Sequence, residues 1–172
     1  MERKELCIIS DSDIPSGSGG INGEGYTYGQ LRHQPIITEI LQRITHPIAR
    51  KMAEDCNERN RKDGFTMYKV DGEYCFEGLR VGPKVKIPSK EDLLALLEDQ
   101  PINAASIRNI TYTLIHEELA RLYGTSVQEA ADIIGNQLDC APHEDISGYI
   151  FMVPNWAHKW FRHNGYVARM LK

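Results

Sequence analysis

Between His143 and His163 the chain places three of its six histidines within 21 residues, interleaved with backbone signals that change type three times. The segment from Leu138 reads LDCAPHEDISGYIFMVPNWAHKWFRHNGYVARMLK. His143 stands just before a turn-like Asp-Ile-Ser-Gly, and Tyr149 to Val153 has the length and composition of a strand. Pro154-Asn155 then interrupts it, and Trp156 to Phe161 is helix-compatible up to His163 and Gly165. The predicted order is strand, turn, strand, short helix, with one histidine at the first strand and two on or after the helix.

That order resembles the ββα-metal core of the HNH/endonuclease VII superfamily. More narrowly it resembles a nuclease-toxin branch written W-H-[HE]…M-x-x-V-P-x-x-x-H-x-x-x-x-H-x-G-G. The matching residues are His143-Glu144, the run Ile150-Phe151-Met152-Val153-Pro154, then His158, His163 and Gly165. Pro142 stands where that branch has Trp, Tyr166 replaces the second Gly, and no Asn lies between His143 and Val153. The resemblance covers about 30 residues, and nothing in the first 110 takes part in it. It implies a metal-dependent endonuclease acting on DNA or RNA, a toxin effector carried at the C-terminal end of a longer secreted polypeptide. It also implies a cytoplasmic site of action and a cognate immunity protein as partner.

Cutting a phosphodiester requires a base to activate water and a cation to stabilise charge on the phosphate and leaving oxygen. His143 is the candidate base, because an imidazole titrates near pH ~6.5 and can accept a proton near neutrality. His158 and His163 are the candidate metal ligands, with Glu144 and Asp145 as further catalytic residues or oxygen ligands. Such a donor set suits one divalent ion of the zinc, nickel, manganese or magnesium kind. Residues five apart on one α-helix point about 140° apart, so the helix must end between His158 and His163. Asn164-Gly165 supplies a suitable stop. Lys159, Arg162 and Arg169 are candidate phosphate contacts. Trp156, Trp160 and Phe161 are read as anchors of a small helix to the core.

Two non-enzymatic readings compete. Cys140, His143, His158 and His163 would suffice for a closed structural zinc site. Residues 114–138 have the outline of a helix-turn-helix, although the second helix, SVQEAADII, is acidic and without Arg or Lys.

Elsewhere the chain reads as a scaffold. Residues 1–30 are expected to form a flexible arm or linker, since residues 10–30 contain six glycines and few apolar side chains. Ile36, Ile40, Ile44, Ile48, Met52 and Cys56 recur at fours along one helical stripe, which Pro47 must kink or restart. Asp71-Gly72 predicts a hairpin over 65–76, and KVKI a further short strand. Ser89 opens a helix through about Glu98. A helix with one buried face runs from Ile107 to Leu122 and ends at Gly124, and another starts at Thr125 or Ser126 and leaves helical patterning at Gly135-Asn136. His33, His46 and His116 are expected to be structural.

The net charge of −4 conceals a segregation: residues 31–90 sum to +4 and residues 140–172 to +2, while residues 91–139 sum to −7. The two basic blocks are the places where a phosphate backbone would be held. No apolar run approaches a membrane span. Cys7, Cys56, Cys75 and Cys140 form no C-x-x-C pair and are expected to be free thiols. The expected architecture is α+β: a mostly helical N-terminal and central part with a small hairpin (31–137) and a ββα-metal element (138–172), the two together making one compact domain.

Overall fold

The buried stripe from Ile36 to Cys56 organises the molecule. In the computed structural model, which describes residues 4–6, 26, 28–70, 72–160 and 166, it lies on two helices, α2 (Thr38–Arg43) and α3 (Pro47–Asn60), preceded by the short helix α1 (Tyr28–Leu31). Pro47 restarts rather than kinks: it occupies the first turn of α3, where a missing N–H costs nothing, and the His46 side chain accepts from the Ile48 N–H. Ile36, Ile40, Ile44, Met52 and Cys56 are all buried.

The Asp-Gly hairpin forms with strands shorter than expected, β2 (Tyr68–Val70) and β3 (Glu73–Cys75), and Gly72 takes φ +81° in its turn. Phe65 and Met67, expected in the hairpin, instead fill the core ahead of it. The arm expected over residues 1–30 is not loose throughout. Lys4–Leu6 form strand β1, antiparallel to β2, and α1 starts within its end. A three-residue strand is too short to show a period, but it satisfies the open hydrogen-bonding edge of the hairpin.

The second sheet runs β4 (Val81–Lys86), β6 (Tyr149–Pro154), β5 (Cys140–Glu144), all antiparallel, with β6 in the middle. Between β4 and the last hairpin lie α4 (Lys90–Leu97, capped by Ser89), α5 (Ala104–Tyr123) and α6 (Val127–Asp132, capped by Ser126). Gly124 ends α5 in the left-handed conformation. Beyond α6 the expected exit at Gly135-Asn136 does not occur: the backbone continues as a wide π turn, Ile133–Leu138. That turn buries Ile133, Ile134 and Leu138 and lets Gln137 Oε1 accept from the Thr45 and His46 amides ahead of α3.

Helix α7 (Asn155–Trp160) follows β6 directly, so β5, turn, β6 and α7 reproduce the expected strand, turn, strand, helix order. Trp156 is fully buried, packs against Phe65 and donates from Nε1 to the Pro35 carbonyl at 2.9 Å. The fold is α+β, with two small antiparallel sheets among helices. No helix among the described residues is long and apolar enough to cross a membrane.

Gly82 joins β4 to the helical layer. It has φ +82°, and a methyl group there would lie 2.9 Å from Met52 Cε on α3 and 3.4 Å from Leu119 Cδ2 on α5. Both the backbone and the contact oppose a side chain, so Gly82→Ala is expected to lower unfolding free energy by about 1–3 kcal/mol. Urea denaturation followed by circular dichroism checks this, and an unchanged midpoint would refute it.

Candidate active site

Strand alternation decides what each residue of β5 meets. His143 pairs with Phe151 across the ladder, and its ring lies between Phe151 and Phe76, with centroids 5.8 and 4.5 Å away. On the same face His158 of α7 approaches, its ring centroid 5.3 Å from that of His143 and the two planes near perpendicular. His143 is almost wholly buried and His158 half-buried.

Asp145 holds the imidazole. Its Oδ1 lies 2.9 Å from His143 Nε2 and accepts from the Phe76 amide at 2.9 Å, while Oδ2 accepts from the Ser147 amide and the Cys75 thiol at 3.0 and 3.1 Å. Burial pushes this carboxyl up, but the bond and charge of His143, joined by the two amide bonds, hold it below the usual carboxylate range. Burial and the Asp145 charge raise the Cys75 thiol to about 12, so the sulfur keeps its proton and donates it. Tyr68 bonds Cys75 in turn, and burial followed by that bond raises its phenol. The result is a chain of hydrogen bonds from Tyr68 through Cys75 and Asp145 to His143. With Asp145 accepting at Nε2, the neutral ring carries its hydrogen there and Nδ1 is the basic nitrogen.

The candidates named from the sequence separate into groups. His143, Asp145 and His158 come together. Glu144, one residue along β5, turns to the opposite face, where Oε1 accepts from Thr111 on α5 at 3.2 Å and Arg108 stands 3.9 Å away. It takes no part in the histidine cluster. Cys140 also lies on that opposite face and donates weakly to the Leu138 carbonyl. His163, Arg162 and Arg169 lie outside the described residues, as does the side chain of Lys159. Among the described residues, no group of three or more His, Cys, Asp or Glu side chains assembles that would hold an ion. Asp145 spends its oxygens on four donors.

On the acidic helix α6, Glu129 is bonded to His46 at 2.9 Å. His46 and His33 are structural as expected: His33 Nδ1 lies 3.1 Å from the Arg61 carbonyl. Cys56, Cys75 and Cys140 are free and buried. Phe76, Cys75 and Tyr68 were not foreseen as partners of the site, since they come from a hairpin about 70 residues away in the chain.

Comparisons with family models, with curated proteins and with solved structures each find no match to this chain.

The buried Oε2 of Glu144 has no hydrogen-bond partner, and burial raises the carboxyl against the Thr111 bond and the Arg108 charge. A carboxyl whose folded pKa lies above its usual 4.5 favours the folded state when protonated, so that stability is lost as pH rises from about 4.5 through the raised value. Glu144→Gln removes this loss. Denaturation of both proteins across that interval is expected to show the variant gaining on wild type as pH rises; a difference independent of pH would overturn the assignment.

Proposed function

We propose that the chain is a metal-dependent endonuclease of the HNH kind that hydrolyses phosphodiester bonds in DNA or RNA. The observation that carries the reading is the buried His143–Asp145 pair on the first strand of a strand, turn, strand, helix unit whose helix brings His158 to the same face. A histidine fixed by a carboxylate on one nitrogen is the arrangement of a general base.

In this mechanism His143 takes a proton from the attacking water as its oxygen bonds to phosphorus, while the bond from phosphorus to the leaving sugar oxygen breaks and that oxygen, departing with the electron pair, is protonated by solvent water. The imidazolium that forms is stabilised by Asp145, which remains ionised because its protonation is disfavoured. Phe76 and Phe151 wall the ring and prevent it from rotating away from Asp145. His158, with His163, would hold the divalent ion, which when bound supplies positive charge to the phosphate and leaving oxygen. Lys159, Arg162 and Arg169 supply phosphate contacts in the same reading. The role of toxin effector, with an immunity protein as partner, rests on the sequence resemblance alone.

His143→Ala is expected to reduce cleavage by about 10²- to 10⁴-fold with metal content preserved. Asp145→Asn is expected to impair both cleavage and stability, because an amide cannot accept at both of its terminal atoms. The measurement is nicking of supercoiled plasmid and decay of total RNA with each of several divalent ions and with a chelator, alongside metal content and circular dichroism. Absence of cleavage with every ion by the folded wild type would overturn the enzyme reading.

A further inference from the structure

A surface pocket of about 370 Å³ lies beside the histidine cluster, its walls including Arg59 and Asn60 from the end of α3, Thr66, Tyr68, Glu77 and Arg80. It falls within the basic block of residues 31–90, which the proposed chemistry at His143 leaves unused. Two arginines line it: Arg59 donates to the Arg80 backbone carbonyl, which holds its guanidinium against the same wall. The Nε–H of Arg80 is buried and has no hydrogen-bond partner. Glu77, the one carboxylate on the wall, is engaged by Lys84. Burial, then the charge of Arg59, weakens the hold of Arg80 on its proton, against the opposing charge of Glu77. An unpaired buried guanidinium donor is satisfied by an oxyanion, and guanidinium groups match phosphate geometry in particular.

The pocket and the candidate active site share a wall. Tyr68 lines the pocket and bonds Cys75, which bonds Asp145, and Glu77 directly follows Phe76, whose ring meets His143. We propose that this pocket holds a backbone phosphate of the nucleic-acid strand that reaches His143, gripped by Arg59 and Arg80. The identity of the occupant rests on the nuclease reading; the preference for an oxyanion does not.

The test measures equilibrium binding in the presence of a chelator, so that cleavage plays no part. Labelled single-stranded and duplex oligonucleotides are titrated with wild type, Arg59→Gln, Arg80→Gln and, as a control of equal charge change, Arg43→Gln, which alters an exposed arginine on α2. Across about 50 to 200 mM salt, loss of one phosphate contact is expected to shallow the slope of log affinity against log salt by about 0.9 for duplex and about 0.7 for single strands. Arg59→Gln is expected to show this change and Arg43→Gln is not. Arg59 is exposed, so its variant keeps the test open if Arg80→Gln fails to fold. Equal slopes for Arg59→Gln and Arg43→Gln overturn the proposal. Arg59-dependent binding of inorganic phosphate itself, with no nucleic acid bound by any variant, overturns the strand as occupant. Arg59-dependent strand binding by a wild type that cuts nothing with any divalent ion supports the pocket and defeats only the nuclease reading.

Discussion

The carboxylate of Asp145 is the junction on which the arrangement around His143 depends. Within one buried side chain it gathers a histidine from β5, an amide from its own turn, the thiol that ends β3 and the amide that follows it. A buried carboxylate is tolerated only when its acceptor sites are filled, and here four donors fill them. The same bonds that make the charge tolerable also fix the distance between the two sheets. A small apolar cluster of Val70, Cys75 and Ile146 seals this junction from the side.

Position along β5 then sets function apart from structure. His143 and Asp145 share one face, and Glu144 between them is sent to the other by alternation alone. Adjacent carboxyls thus come to opposite electrostatic ends: Asp145 is held below its ordinary range by its donors, and Glu144 is raised by burial with an oxygen left bare. Environment, not residue type, separates them.

Much of this was legible in the sequence, and for identifiable reasons. The four-residue spacing from Ile36 to Cys56, the Ser89 and Ser126 caps and Gly124 are local signals, and each appears where such signals place it. The order of β5, β6 and α7 was readable because turn residues punctuate it, and the proximity of His143 to His158 was expected from that order. What the sequence did not reveal is long-range. No local pattern indicates that Cys75 and Phe76 would supply Asp145 with donors, or that β4 would flank β6. Arg59 and Arg80 belong to the basic block of residues 31–90, but only tertiary packing places these two on one wall.

The central position of β6 has a consequence for how the chain comes to be finished. Its partner β4 precedes it by more than 60 residues, and Trp156 closes onto Pro35 across 121 residues. Until the last hairpin emerges, β4 presents an open edge and the cleft above Pro35 lacks its indole, a state exposed to mispairing. The histidine-bearing unit is therefore not a portable module. It is the keystone strand pair of the second sheet, and the residues proposed for chemistry acquire their geometry only once β6 has paired with β4.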